Sequence, residues 1–151
     1  MELNYGELEK EIVEILEKEQ EIVFATSADN IVTARTMCHV NDGLAVMFST
    51  VNTSRKVEQV KKNPNIALVA GALQMEATAE LYGSQLKHKA FLEMNNKKFP
   101  WMKKDFPTSE VIPDTSMLII CHPTKISLYK FIDGEPHWDI LMVTEKKAFR
   151  I

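Results

Sequence analysis

Apolar residues recur at helical spacing near the start of the chain, and further on they form short runs typical of strands. Leu8, Ile12, Ile15 and Leu16 share one face of residues 5–18, and glutamates and lysines occupy the other faces. This spacing predicts an amphipathic helix. Similar but shorter patterns predict two further helices, over residues 53–62 and 85–96.

Runs rich in β-branched and aromatic residues, separated by turn signals, predict an antiparallel sheet. Ala28-Asp29-Asn30 and Asn41-Asp42-Gly43 separate the first three runs, which favours a meander. Helices and strands do not alternate regularly, and closing a sheet removes exposed strand edges, so the pattern predicts an α+β fold with a barrel. The predicted strands cover residues 21–27, 31–40, 44–50, 66–70, 75–82, 117–121 and 125–131, with 136–143 as a last strand or a docked tail.

Composition narrows the class of protein. The hydrophobic fraction of 45% and the charged fraction of 26% are ordinary for a globular protein, and the net charge of −3 gives no support to nucleic-acid binding. We expect one domain over residues 1–151, without a membrane span or an export signal. Cys38 and Cys121 lie far apart and predict reduced thiols in a cytoplasmic protein; with the four histidines they show no metal-ligand spacing, so we expect no metal.

The residues that point most clearly to chemistry follow the third predicted strand. Ser49 and Thr50 end that strand, and Ser54-Arg55-Lys56 opens the next predicted helix. Hydroxyl groups, the free N–H groups of a helix start and fixed positive charge together suit a phosphate. Arg35 upstream adds a guanidinium that can bind phosphate through two parallel hydrogen bonds. The sequence therefore predicts a site for a phosphate-bearing ligand.

Each of these residues also has a plainer interpretation. Arg35 could be a solvent-facing residue of an alternating strand, and Ser54-Arg55-Lys56 could be a capped, solvated helix start. Of the two adjacent cations, Lys56 is the stronger candidate, because Arg55 can turn to solvent. Met37 and His39 suit a core as well as a ligand wall, and Cys38 suits an inert core thiol.

The ordered set resembles the FMN-binding split barrel of proteins related to pyridoxamine 5′-phosphate oxidase. The similarity runs through Arg35-Thr36-Met37, Ser49-Thr50, Ser54-Arg55-Lys56 and Asn63-Pro64-Asn65, in this order, within residues 21–82. The resemblance implies a six-stranded split β-barrel, a homodimer and two FMN molecules at the dimer interface. It also implies an FMN-dependent oxidoreductase that acts on an unidentified small molecule, with NAD(P)H as a candidate electron donor.

The resemblance also implies where the cofactor lies. On strand 31–40, Thr36, Met37, Cys38 and His39 would line the isoalloxazine, and Trp138 resembles a tryptophan that reaches over the flavin from the partner subunit. The segment Gly134–Asp139 lacks the arginine and histidine, two residues apart, that bind substrate phosphate in the oxidase itself. Vitamin B6 oxidation is therefore not implied, and no catalytic residue is assigned. The phosphate and ribityl chain would be surrounded by Arg35, Ser49, Thr50, Ser54, Arg55 and Lys56.

The same residues leave other functions open. A flavin-binding protein without turnover, for storage or sensing, would use the same site. A related barrel could instead hold haem or the deazaflavin F420, whose phosphate would suit Arg35 and Lys56 equally well. A barrel that has lost its ligand and serves as an interaction module is the fourth alternative.

Overall fold

The computed structural model describes residues 1–104 and 114–151. Within these residues, three α-helices flank a nine-stranded antiparallel sheet. The helices are α1 (Tyr5–Lys18), α2 (Arg55–Lys62) and α3 (Lys89–Lys98), and single 3-10 turns at Gln85–Lys87 and Pro100–Lys104 flank α3. The strands are β1 (Glu21–Ala28), β2 (Ile31–Cys38), β3 (Val40–Asp42), β4 (Ala45–Val51), β5 (Asn65–Ala70), β6 (Leu73–Gly83), β7 (Ser116–Ile132), β8 (Glu135–Met142) and β9 (Lys147–Arg150).

The order of the strands shows how the sheet closes on itself. The main path runs β2-β1-β5-β6-β7-β4-β3, while β8 pairs with β7 and β9. The two ends of this path, β2 and β3, are separated in the chain by His39 alone, so the sheet must curl until its edge strands approach each other. The predicted α+β class and antiparallel pairing are confirmed. The described residues hold nine strands, where the resemblance implied six and the residue pattern predicted seven with 136–143 as an eighth or a docked tail. The counts differ because β3 separates from β2, the two predicted strands 117–121 and 125–131 join into β7, 136–143 forms β8, and β9 is added.

The β1–β2 hairpin places Thr26, Thr33 and Arg35 on the same face of the sheet. Asp29 and Asn30 have positive φ angles of 52° and 62°, the conformation of a tight turn whose twist suits a hairpin. The register pairs Phe24 with Arg35 and Thr26 with Thr33. Alternation along β1 buries Ile22, Phe24 and Thr26, so Thr26 is a polar residue at an inward position.

Strand β7 is one continuous element of 17 residues, although the sequence pattern predicted two strands there, 117–121 and 125–131, with a turn at His122-Pro123-Thr124 between them. That turn prediction was wrong. Glu76 of β6 pairs with Lys125 and Ala77 pairs with Pro123, so Thr124 is the extra residue of a β-bulge. Proline cannot donate to the ladder, and a bulge is one of the few places where a strand accepts it.

The apolar core forms two groups. The larger one packs Leu8, Ile12 and Leu16 of α1 and Val57 and Val60 of α2 against the sheet. Its centre includes Phe24 and Phe48, whose ring centroids lie 4.7 Å apart. The smaller group lies under α3 and comprises Val40, Met47, Phe91, Phe99, Leu118 and Ile120.

The element boundaries differ from prediction mainly at helix starts. Helix α2 begins at Arg55, because Ser54 keeps extended backbone angles, and the predicted third helix begins with a 3-10 turn before α3. Strand β9 was not predicted. The predicted loop 97–113 starts with the end of α3 and a 3-10 turn, and its remainder, residues 105–113, lies outside the described residues. None of the helices that the structure describes is long and apolar enough to cross a membrane.

Candidate functional site

The start of α2 gathers the residues singled out in the sequence. Strand β4 ends at Val51, and a short turn leads into α2 at Arg55. The Lys56 ammonium donates a hydrogen bond to the Thr50 hydroxyl, with Nζ 2.9 Å from Oγ1. This bond ties the helix to the end of β4, and it holds the lysine half-buried at the rim of the barrel.

Arg35 reaches the same region from β2. Its guanidinium donates to the Phe24 carbonyl (3.2 Å) and to the hydroxyls of Thr26 (2.8 Å) and Thr33 (2.6 Å). The guanidinium carbon also lies 5.7 Å from the centre of the Phe24 ring. An arginine carries five N–H donors, so these three contacts leave two donors for a ligand.

The electrostatics of this corner are those of an anion site. Partial burial lowers the pKa of Lys56, and the nearby positive charge of Arg35 lowers it further. Partial burial also lowers the pKa of Arg35, with an added contribution from the charge of Arg55. Within the described part of the chain, no carboxylate forms an ion pair with Arg35, Arg55 or Lys56. Three cations therefore destabilise one another, and a bound anion would relieve that repulsion.

Ser54 supplies a second, independent sign of a ligand. It occupies the residue before α2, where a serine side chain commonly caps the helix, yet its side chain makes no capping bond. Its hydroxyl oxygen is buried and has no hydrogen-bond partner among residues 1–104 and 114–151. Buried hydroxyls are rarely left unpaired, and the first N–H groups of α2 also lack partners inside the helix. Ser54 and this helix start therefore present donors that a phosphate could accept.

The sequence analysis missed three residues that support Arg35 from behind. Thr26 and Thr33 accept from the guanidinium and donate to the side-chain oxygen of Gln59, at 2.6 Å and 2.7 Å. Thr26 is 1% exposed and Gln59 is 6% exposed. The signal that could have found them is a polar residue at an inward position: Thr26 in the alternation of β1, and Gln59 between Val57 and Val60.

The remaining predicted phosphate residues are placed differently. Ser49 is half-buried and precedes Thr50, so strand alternation directs the two side chains to opposite faces of β4. Arg55 is exposed, as the sequence suggested for the weaker of the two cations. Both residues stay predictions as phosphate ligands.

The predicted isoalloxazine residues continue along β2 beyond Arg35. Thr36 is exposed on the face opposite Arg35, and Met37 packs against the main core. His39 is fully buried, and its Nε2 lies 3.1 Å from the Leu16 carbonyl oxygen, so that nitrogen carries the proton. Burial, with the nearby charge of Lys98, lowers the pKa of His39 to about 4.

Cys38 lies between Met37 and His39 and is half-buried. Burial raises its pKa, and the charge of Glu21 adds to that shift, although Lys98 acts in the opposite direction. A raised pKa disfavours the reactive thiolate. The thiol therefore suits the interpretation as an inert core residue.

Trp138 lies away from the cation cluster. It is 41% exposed and sits on β8, which pairs with β7 and β9 rather than with the strands that carry Arg35 and Thr50. Its ring centroid is 5.0 Å from that of Tyr129, which in turn is 5.3 Å from that of Phe131. These three residues form an exposed aromatic cluster at the end of the β7–β8 hairpin.

Comparisons with known proteins bear on the fold and the family. No significantly similar sequence is found among curated proteins. Among solved structures, general stress protein 26 from Bacillus anthracis str. Sterne matches with a TM-score of 0.63 and 19% identity, over 85% of this chain and 96% of that one. A pyridoxamine 5′-phosphate oxidase-related, FMN-binding protein from Nostoc punctiforme PCC 73102 matches with a TM-score of 0.62 and 12% identity, over 97% and 91%.

A third similar structure is an FAD-binding protein from Mesorhizobium loti, with a TM-score of 0.58, 12% identity, and coverage of 78% of this chain and 90% of that one. At such low identity these likenesses establish the fold. Residues 8–128 match the family model described as pyridoxamine 5′-phosphate oxidase. This match spans most of the chain, and the chain therefore belongs to the pyridoxamine 5′-phosphate oxidase family.

Proposed function

We propose that this protein binds FMN through the cluster of Arg35, Thr50, Ser54 and Lys56, and that it is an oxidoreductase acting on an unidentified small molecule. One observation carries the proposal: among residues 1–104 and 114–151, the buried Ser54 hydroxyl has no hydrogen-bond partner, and it lies at a helix start where three cations lack a counter-charge. A buried donor beside uncompensated positive charge fits an anion. The family and an FMN-binding structural neighbour support FMN as that anion.

The donor set suits a phosphate monoester. Such a group carries a charge between about −1.5 and −2 near neutral pH and offers three acceptor oxygens. Lys56 would supply a mobile point charge, and Arg35 the two N–H groups that its protein contacts leave free. Ser54 would donate a hydrogen bond from its hydroxyl, and the first N–H groups of α2 would donate to the remaining phosphate oxygens.

The chemistry comes from the cofactor, and the chain supplies position. Bound FMN would provide hydride transfer at N5 of the isoalloxazine. We propose Thr36 as a side-chain contact of the ring and Met37, whose side chain packs against the main core, as a backbone contact. Cys38 would offer its backbone. His39 stays a prediction, because it is fully buried, its N–H donates to the Gln20 carbonyl, and its side chain is engaged with the Leu16 carbonyl. No side chain of this set needs to act as an acid or base.

We further propose that the chain forms a homodimer with FMN between the subunits. Exposed apolar side chains support this proposal, among them Val32 (72% exposed), Phe131 (66%) and Trp138 (41%). Such groups on one chain favour burial against another. Sedimentation velocity at micromolar concentration is expected to show a dimer, and a monomer that retains FMN would contradict this part of the proposal.

The first test is the visible spectrum of the purified protein, before and after adding FMN and removing the excess by gel filtration. We expect a retained flavin band at about 450 nm, since the protein only tunes the chromophore. Heating should release about one FMN per chain. A Soret band at about 400 nm would indicate haem, and a band at about 420 nm would indicate F420. Absence of any retained chromophore would favour a barrel without ligand.

Two variants of α2 test the residues. Lys56→Ala removes a cation of the cluster, while Lys61→Ala removes an exposed lysine of the same helix that pairs with Glu58. We expect Lys56→Ala to lose FMN retention and Lys61→Ala to keep it. Equal affinity of Lys56→Ala and the unmodified protein would refute the site. Turnover is tested separately: NAD(P)H oxidation no faster than with free flavin would leave a flavin-binding protein without catalysis.

A further inference from the structure

Gln59 carries a buried amide whose hydrogen bonds connect α2 to the β1–β2 hairpin beside Arg35. It lies on α2, one turn after Lys56, and its side chain is 6% exposed. Its Oε1 accepts from the hydroxyls of Thr26 and Thr33, and its Nε2 faces the Ile31 carbonyl at 3.4 Å. The Ile31 contact fixes the orientation of the amide, because the reversed amide would place two oxygens against each other.

The direction of the protons follows from this orientation. A threonine hydroxyl has a single proton, and here each is donated to the Gln59 oxygen. The lone pairs of both hydroxyls are then free to accept from Arg35, whose Nη1 lies 2.8 Å from Thr26 Oγ1 and whose Nη2 lies 2.6 Å from Thr33 Oγ1. Gln59 is therefore the acceptor that takes both hydroxyl protons and leaves the lone pairs to the guanidinium. Without it, the two hydroxyls, whose oxygens lie 3.3 Å apart, could donate one to the other.

We propose that Gln59 is a positioning residue of the phosphate site, acting through Thr26 and Thr33 on Arg35. This inference rests on the proposed function, since it assumes that Arg35 binds the phosphate. An arginine held by two threonines loses less freedom when the ligand arrives, which raises affinity without any contact between Gln59 and the ligand. The competing interpretation is that Gln59 only ties α2 to the β1–β2 hairpin.

The ratio of two affinities separates these interpretations. Riboflavin is FMN without the phosphate. A change that affects only Arg35 should therefore weaken FMN binding and leave riboflavin binding unchanged. Gln59→Met keeps the length of the side chain and removes the acceptor. Gln85→Met is the matched control, because Gln85 is also buried (4% exposed) but lies in the 3-10 turn before α3. Dissociation constants for both flavins follow from the quenching of flavin fluorescence.

We expect Gln59→Met to weaken FMN binding on the order of tenfold, the scale known for residues that orient a direct ligand. Riboflavin binding should change less than about twofold, as should both affinities in Gln85→Met. In an Arg35→Ala background the Gln59→Met effect on FMN should disappear, because the residue acts through the arginine. Gln59→Leu, which also removes the acceptor and leaves both threonines in place, serves as the second variant and should show the same selective loss if Gln59→Met does not fold.

Three results would overturn the inference: equal weakening of FMN and riboflavin, no change in either affinity, or an effect that persists without Arg35. Each of them is separable from failure of the proposed function. If the unmodified protein binds no FMN, the proposed function fails and the inference falls with it. If the unmodified protein binds FMN and the Gln59→Met affinities match it, the inference alone fails.

Discussion

Two clusters of charge in this molecule are built in opposite ways. At the β7–β8 hairpin, Asp139 is 1% exposed, accepts two hydrogen bonds from Arg150 (2.6 and 2.9 Å) and pairs with Lys130 at 2.9 Å. Lys130 also reaches Glu11 of α1 at 2.8 Å. Around the start of α2, by contrast, the cations Arg35, Arg55 and Lys56 have no carboxylate partner among the described residues.

The difference shows which charges serve folding and which are available to a ligand. In the first cluster two carboxylates neutralise two cations, and hydrogen bonds from Arg150 hold the pKa of Asp139 below its usual value. The first cluster is complete without any other molecule. In the second, burial lowers the pKa of Arg35 and Lys56, and the charge of a neighbouring cation lowers each further. Among the described residues these cations have no counter-charge, which an anion would supply.

The largest expected effect is on the complete cluster. Asp139→Asn removes the charge that Arg150 and Lys130 share while keeping the side-chain volume. Because breaking a buried pair leaves Arg150 without a counter-charge, while Lys130 keeps Glu11, we expect the free energy of unfolding to fall by roughly 3 kcal/mol. Urea unfolding measures it, and FMN affinity should be unchanged in the fraction that remains folded. A loss below about 1 kcal/mol, the range of exposed pairs, would mean that the two clusters do not differ as described.

The cations around the start of α2, which we call the open cluster, should respond in the opposite way: their loss should weaken ligand binding more than folding. Lys56→Met is expected to reduce FMN affinity by about 2 kcal/mol, roughly 30-fold, the scale of a charge-assisted hydrogen bond. The free energy of unfolding of the ligand-free protein should stay within about 0.5 kcal/mol or rise, because a like charge beside Arg35 is removed. Isothermal titration and urea unfolding give the two numbers. Strong destabilisation without ligand would show that Lys56 serves folding after all.

His39 shows a third way to bury a titratable group, as a neutral ring. Its pKa is about 4 in the folded protein and 6.5 in the unfolded chain, so below pH 6.5 the unfolded chain binds the extra proton. Stability is therefore full above pH 6.5 and falls as the pH is lowered towards 4. At about 1.4 kcal/mol per pH unit, we expect about 2 kcal/mol to be lost between pH 7 and pH 5.

The matched variant for this pH dependence is His39→Gln, whose amide can still donate to the Leu16 carbonyl but does not titrate. Urea unfolding at several pH values should show a slope for the unmodified protein and a much smaller slope for the variant. Equal slopes in the two proteins would show that another group causes the pH dependence.

The smallest effect concerns the exposed edge of the open cluster. The positive charge of Arg55 adds to the lowering of the pKa of Arg35. The Arg55 side chain is exposed, however, so solvent and salt screen its charge. Arg55→Ala should reduce FMN affinity by only about 0.5 kcal/mol, roughly twofold, and the reduction should vanish at high salt. A loss as large as that of Lys56→Met, and insensitive to salt, would place Arg55 in direct contact with the phosphate.

Much of the fold could be read from local patterns. The first helix, the Asp29–Asn30 turn and the strands around it follow from residue spacing and turn chemistry, which act over a few residues. The turn predicted at Pro123 was wrong, because a bulge against Ala77 of β6 lets the strand continue. Strand β9 was missed, since Lys147–Arg150 is short and its pairing with β8 is a tertiary contact.

The sequence alone determined the residue types of the candidate site: two hydroxyls, a helix start and adjacent cations, in an order that resembles one family. Only the tertiary structure decided which of them meet. It joined Lys56 to Thr50 and set Gln59 behind Arg35 through Thr26 and Thr33. It also left the Ser54 hydroxyl without a partner in the part of the chain that the structure describes. Spacing along a chain specifies the face of a strand or helix, but contacts between β1, β2 and α2 depend on how the sheet closes around its core.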